Sequence, residues 1–171
     1  LKRNNLTNFL SHERFSLRPL YNFYFTRDAS VSMLDEVLIA PMANRVRDRE
    51  SLIMEAIFNH SGLVSANTVN PHSFNLNGNV SIEGGDVLIA RDDILLIGNG
   101  TRTTTQGIDF IISRLMAQQE KKKRHIIVQE LPESPESFIH LDMVFTLLDK
   151  DQCMVFDPVM LQPNRFQSVQ I

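Results

Sequence analysis

Three times along this chain an aspartate leads an apolar run into an acidic turn and out again through a second apolar run. Asp28 precedes ASVSMLDEVLIA, Asp86 precedes VLIARDDILLIG, and Asp142 precedes MVFTLLDKDQCMVF. Asp28 to Asp86 is 58 residues and Asp86 to Asp142 is 56. A near-constant period of this size restricts the chain to a repeated supersecondary unit whose apolar face is buried on its neighbours, as in radial or solenoid stacking. It also puts polar residues at the mouth of each first strand, where groups distant in sequence can meet.

The rest of each unit follows from periodicity. Asp48 is placed to cap a helix over 49–60, with Leu52, Ile53, Ala56 and Ile57 as its apolar stripe and Gly62 as a stop. After the second hairpin, Thr103 to Thr105 offer caps to a helix in which Ile108, Ile111, Ile112, Leu115 and Met116 form a full i, i+3, i+4, i+7, i+8 stripe. That helix ends in polar 118–124, and 125–129 (HIIVQ) reads as a strand. The unit is therefore strand, turn, strand, helix, strand. Residues 65–80, rich in Asn and with Pro71, read as a loop with one short strand. The third unit stops after its hairpin with no helix expected in PVMLQPNRFQSVQI, and 1–19 reads as the polar tail of a preceding segment.

Size and charge bound the function. A chain of 171 residues is within the usual size of one domain and long enough to bury a core. A net charge of −3 gives no nucleic-acid footprint. The one basic run, Lys121 to Arg124, complements the carbonyl end of a helix. No apolar run reaches the ~18 to 20 residues of a membrane span, and one cysteine excludes an internal disulfide framework. The expected setting is the cytoplasm. His12, His60, His72 and His125 have no ligand spacing with acids or with cysteine, so no metal is expected. Gly98 and Gly100 are followed by Thr and Arg without a Walker lysine, and no phosphate cofactor is expected either.

The strand mouths carry Arg27 and Asp28, Glu83 and Asp86, and His140 and Asp142. Gathered at one end of a repeated array, such groups form an acid/base cluster in which carboxylates keep a histidine protonated and oriented. Two separate carboxylates also suit both edges of a planar guanidinium. The same residues allow a structural reading, since aspartates at strand starts often bond backbone amides.

The strings LRPLYNFYFTRD, IEGGDVLI, IGNGTRT and HLDMVFTLLDKD, in this order and spacing from Leu17 to Pro158, resemble the signature blocks of bacterial arginine deiminases within the guanidino-modifying (pentein) superfamily. The resemblance implies an α/β propeller of ββαβ units around a pseudo-fivefold axis. About three of five blades would be present, near 20–80, 81–130 and 131–171, with 1–19 as the end of a helical insertion. It further implies that Asp28 and Asp142 grip a substrate guanidinium beside Asn22 and Phe25, that Glu83 pairs with a proton-shuttling His140, and that Arg47 and Arg102 hold the α-carboxylate of L-arginine. Asp86 reads as structural, holding the Gly84-Gly85 turn.

The family's chemistry converts L-arginine to L-citrulline and ammonia through a cysteine-bound thiouronium. Cys153 does not match the family nucleophile and reads as a buried structural thiol. The family nucleophile is thus expected to be absent from these residues, leaving a fragment inactive alone. Ala29 after FTRD, where the family has proline, and the long polar stretch 67–79 mark divergence. An amidinotransferase and a non-catalytic arginine-binding relative stand as alternatives. Edges left open by missing blades would favour pairing into a homo-oligomer.

Overall fold

A computed structural model describes residues 6, 10, 18–33, 35–74, 76, 79–118 and 123–171. The expected tail 1–19 falls largely outside the described residues, as do Lys121 and Lys122 of the basic run. Two units have the expected ββαβ order. In the first, β1 (Ser30–Met33) and β2 (Glu36–Ile39) form an antiparallel hairpin, α1 (Asp48–His60) crosses over, and β3 (Asn67–Val69) returns parallel to β2. In the second, β4 (Val87–Arg91) and β5 (Ile94–Asn99) pair antiparallel, α2 (Thr105–Ala117) crosses, and β6 (His125–Glu130) lies parallel to β5. The third hairpin is β7 (Phe145–Asp149) with β8 (Gln152–Val155), a two-stranded sheet of its own.

Local chemistry explains the best-formed crossover. Thr104 is extended and its hydroxyl accepts the N–H of Gly107 at 3.3 Å, an N-cap that satisfies one orphan donor of α2. Ile108 and Ile111 then turn inward against Leu38 of the first unit and Ile82 and Ile97 of the second, so one core spans both. Each such aliphatic side chain contributes about 1.5–3 kcal/mol on burial. A smaller core of Leu88, Leu131, Leu141, Val144 and Val159 joins the second unit to the third. Units are thus held by shared hydrocarbon, and their strand mouths are brought side by side.

Several sequence expectations are corrected. Asp48 does not cap α1. It is the first helical residue, after a 3-10 turn (Arg45–Arg47) whose cap is Asn44, with the Asn44 side chain accepting the Val46 N–H at 3.2 Å. The stripe assigned to α1 faces outward: Leu52 is 63% exposed and Ile57 43%, while Glu50 and Ser51 are buried. The helix is turned by the burial of charge at its N-terminal end. Met116, the last member of the α2 stripe, is also exposed.

After β8 a short helix α3 (Asp157–Met160) forms, and β9 (Ser168–Gln170) pairs antiparallel with β6 of the second sheet. Residues assigned to the third unit therefore complete the second sheet, because β6 would otherwise present an open edge. Cys153 is exposed, not buried, since the β7–β8 hairpin pairs only with itself and leaves this part of β8 uncovered. No helix among the described residues is long and apolar enough to cross a membrane.

Candidate active site

Two equivalent 3-10 turns deliver the polar groups. Gly84–Asp86 opens β4, and Leu141–Met143 precedes β7, each entered from an extended residue: Glu83 in one case and His140 in the other. The first unit joins through its backbone, with Gly84 N–H donating to the Asp28 carbonyl at 3.0 Å. The residue at 84 must lack a side chain here, and 85 leaves almost no room for one. A Cβ on Gly84 would stand 1.9 Å from the Arg27 carbonyl oxygen, and one on Gly85 would stand 3.0 Å from the His140 ring. The double glycine thus lets three strand mouths close on one point.

At that point lie Asp28, Glu83 and His140, all buried. One carboxylate oxygen from each acid and one ring nitrogen fall within 4.8 Å of one another. His140 Nε2 and Glu83 Oε2 are 2.9 Å apart. Glu83 is held from three further sides. Its backbone N–H donates to the Thr103 hydroxyl (3.1 Å), its Oε1 accepts the Ala43 N–H (3.2 Å), and Arg102 Nη1 stands 3.8 Å from the same oxygen. Asp142 is part-buried, with its Oδ2 3.7 Å from Arg27 Nε. Arg27 also donates from Nε to the Gly84 carbonyl at 3.2 Å, so this exposed side chain bridges the three units.

Burial opposes a charge on His140, but the Glu83 hydrogen bond and the carboxylates of Asp86, Asp28 and Glu83 outweigh it and raise its pKa. Burial likewise raises Asp142, against the pull of His140 and Arg27. The buried Asp86 carboxyl is pushed up to about 7 by burial, despite His140, Thr103 and the Leu141 N–H. The set is therefore an imidazolium-carboxylate pair flanked by carboxylates. Two oxygens and a nitrogen at this spacing have the atoms to bind a cation, and a guanidinium already serves that charge. Arg47 Nη1 is 2.8 Å from Asp28 Oδ2 and 3.6 Å from Glu83 Oε2, and a metal ion among the same atoms would be repelled by it.

Residues 2–171 match the family model described as arginine deiminase. The chain belongs to the arginine deiminase family. It is 36% identical over 141 residues to an arginine deiminase of Bacillus cereus (strain B4264), covering 82% of this chain and 34% of that protein. It is 35% identical over 150 residues to one of Staphylococcus haemolyticus (strain JCSC1435), covering 88% and 36%. The chain thus spans about a third of the length of these curated relatives.

Solved structures give the fold. The N-terminal domain of a cyanobacterial arginine dihydrolase, bound to substrate, superposes with a TM-score of 0.61 at 23% identity, covering 79% of this chain and 44% of that one. Dimethylarginine dimethylaminohydrolase from Pseudomonas aeruginosa, complexed with citrulline, gives 0.60 at 17%, covering 78% and 46%. A saxitoxin-pathway amidinotransferase from Microseira wollei gives 0.55 at 18%, covering 75% and 41%. The fold is that of the α/β pentein superfamily.

Within this family member the residues singled out from sequence are not all disposed as expected. Arg47, expected at the substrate carboxylate, is only 4% exposed and is engaged internally. Its Nε donates to Glu50 (2.8 Å), its Nη1 to Asp28 (2.8 Å) and its Nη2 to the Asn22 carbonyl (3.3 Å). Burial works against its charge, but Asp28 and Glu50 raise its pKa further. Arg102 keeps a part-exposed side chain between Glu83 and Glu136. Phe25 is half exposed and packs against Tyr24, with ring centroids 4.2 Å apart.

Sequence reasoning missed Glu50. This fully buried carboxylate accepts the Asn22 N–H on Oε1 (3.0 Å) and Arg47 on Oε2, tying the Asn22–Asp28 segment to α1. Its signal was present as a charged pair at i, i+3 beside an apolar helix face, but three arginines at 45, 47 and 49 hid which one it served.

Proposed function

We propose that the protein carrying these residues is an arginine deiminase-like hydrolase that converts L-arginine to L-citrulline and ammonia, and that the three sheets are three blades of a five-bladed propeller. The observation that supports this most directly is the convergence of Asp28, Glu83 and His140, from three separate units, on one buried point beside the part-open Asp142.

In this reading Asp28 and Asp142 bind opposite edges of the substrate guanidinium, each carboxylate already backed by one protein arginine, Arg47 or Arg27. Asn22 and Phe25 line the pocket. Arg102, whose side chain is part-exposed, takes the α-carboxylate, and Arg47 acts through Asp28, which it holds. A thiolate attacks the guanidinium carbon, the bond from that carbon to a terminal nitrogen breaks, and His140 gives its proton to the departing ammonia. His140 then takes a proton from water as the oxygen adds to the thiouronium carbon, and the C–S bond breaks to release citrulline and the thiol.

Cys153 is not assigned the thiolate. It pairs with Leu147 next to the β7–β8 turn, at the other end of the hairpin from Asp142. The nucleophile is assigned to a cysteine outside these residues, and the chain alone is expected to bind arginine without turning it over. Cys153 is a free thiol, which suits a reducing compartment, and we place the protein in the cytoplasm on that ground.

The test is release of citrulline and ammonia from L-arginine by the intact protein, with glycine present in a parallel reaction. Stoichiometric citrulline and ammonia support the reading. Guanidinoacetate in place of citrulline would make the protein an amidinotransferase, and absence of both products would make it a binding relative.

A further inference from the structure

Asp86 closes the 3-10 turn that follows Glu83 and, beyond its charge on His140, takes no direct part in the proposed chemistry. Its side chain is fully buried, and Oδ1 accepts the N–H of Leu141 at 2.9 Å across 55 positions of sequence. Leu141 is the residue between His140 and Asp142, so this bond fixes the peptide that joins His140 to Leu141, one residue before Asp142. The contact is shaped on its far side too. A Cβ on Gly98 of β5 would meet Asp86 Oδ1 at 2.6 Å and the Leu141 Cβ at 3.1 Å, so only a glycine there leaves room for the junction. Oδ2 makes no hydrogen bond of ordinary geometry among the described residues, with only the Thr103 hydroxyl acting on the carboxyl besides the Leu141 N–H. A buried carboxylate oxygen in that state is costly unless its charge serves a neighbour.

The neighbour is the imidazole. The charged groups facing His140 are Glu83, Asp86 and Asp28, with Asp142 next to it in the turn, while Arg47 and Arg102 reach the pair only through Glu83. Glu83 holds Nε2. Asp86 holds the backbone on which the ring is mounted.

We propose that Asp86 is a positioning residue for the reaction. Its Oδ1 docks the 140–142 turn onto the 83–86 turn, and its ionised form favours the protonated form of His140. This deepens the hydrolase reading and rests on it for the chemistry, but the positioning itself is measurable without turnover.

The experiment uses the intact protein and two variants. In Asp86→Ala the Leu141 amide loses its acceptor, and its hydrogen exchange should quicken by about tenfold or more. The His140 ring, followed by NMR through its pH titration, should lose its proton at lower pH than in the parent. In Asp86→Asn the side-chain oxygen still accepts from Leu141, so exchange should stay slow while the His140 titration still moves down. If arginine is turned over, kcat should fall by about tenfold in the alanine variant, with a smaller change in KM. A lowered melting temperature with Leu141 exchange and His140 titration both unchanged would reduce Asp86 to a packing residue and overturn the proposal. Absence of turnover in the parent would defeat the hydrolase reading alone, because exchange and titration would still decide the role of Asp86.

Discussion

The two crossover helices occupy the same place in consecutive ββαβ units and do opposite work. α2 buries Gly107, Ile108, Phe110 and Ile111, and its inner face is hydrocarbon. α1 buries Glu50 and Ser51, leaves Leu52 and Ile57 exposed, and uses its first turn to hold Arg47, Asn22 and Asp28 in one ion-paired network. Hydrophobic periodicity describes the first helix because its orientation is set by area removed from water. It misdescribes the second because a buried guanidinium with two carboxylates fixes the orientation instead. Each buried ion left unpaired costs several kcal/mol, against about 1.5–3 kcal/mol for an aliphatic side chain fully exposed, and Leu52 and Ile57 are exposed only in part.

The difference can be broken from either side. The largest effect is expected for Glu50→Ala. Removing one partner of a buried pair strands the other, a loss of about 3–5 kcal/mol. Denaturant titration would measure it, and calorimetry should find L-arginine binding weakened at least tenfold as Asn22 and Arg47 are freed. An unchanged midpoint would mean that α1 is held by its apolar residues after all.

In α2 the matching change is Ile111→Ala, which removes a fully buried side chain from the shared core at a cost of about 2–5 kcal/mol. Here arginine affinity should change little once the protein is folded. An affinity loss as large as that of Glu50→Ala would erase the distinction between the helices.

A smaller effect is a pH dependence confined to the charged region. The Asp86 carboxyl titrates at about 7 when folded against 3.8 as the reference value. Between those values the folded state holds a proton that the unfolded chain has lost, so stability declines as pH rises through the interval. His140, also raised, acts with the same sign: its contribution is complete below its unfolded pKa and is lost as pH climbs through the folded one. Chemical unfolding at several pH values should therefore give a slope that Asp86→Asn flattens and Ile111→Ala leaves alone. A steeper slope in the asparagine variant would contradict the assignment.

The smallest effect is expected for Leu52→Ala on the outer face of α1, within ~0.5 kcal/mol. A cost comparable to that of Ile111→Ala would mean that this face is covered in solution.

The legible part of the site was the part tied to the repeat. Glu83, His140 and Asp28 stand at strand mouths, and a fixed period carries equivalent mouths to one end of the sheets. A threonine cap within 103–105 and the Ile108 and Ile111 part of the α2 stripe were legible for a similar reason, being set within one turn of chain. Arg47 and Glu50 were not, since which of three neighbouring arginines turns inward depends on where Asp28 lies, 19 residues earlier. The exposure of Cys153 and the return of β9 to β6 were also illegible. One depends on the third hairpin pairing only with itself among the described residues, and the other on a sheet edge within reach.

By itself, then, the sequence determined the unit, its period and the chemical types gathered at one end of the sheets, because turn residues, alternation and spacing act locally. Only the tertiary structure decided which charges are spent on each other. Arg47 on Asp28 and Glu50, and Asp86 on Leu141, are pairings between segments that meet only when the shared cores form. In a buried site the partner within about 3 Å, and not the residue type, sets what a charged group can do.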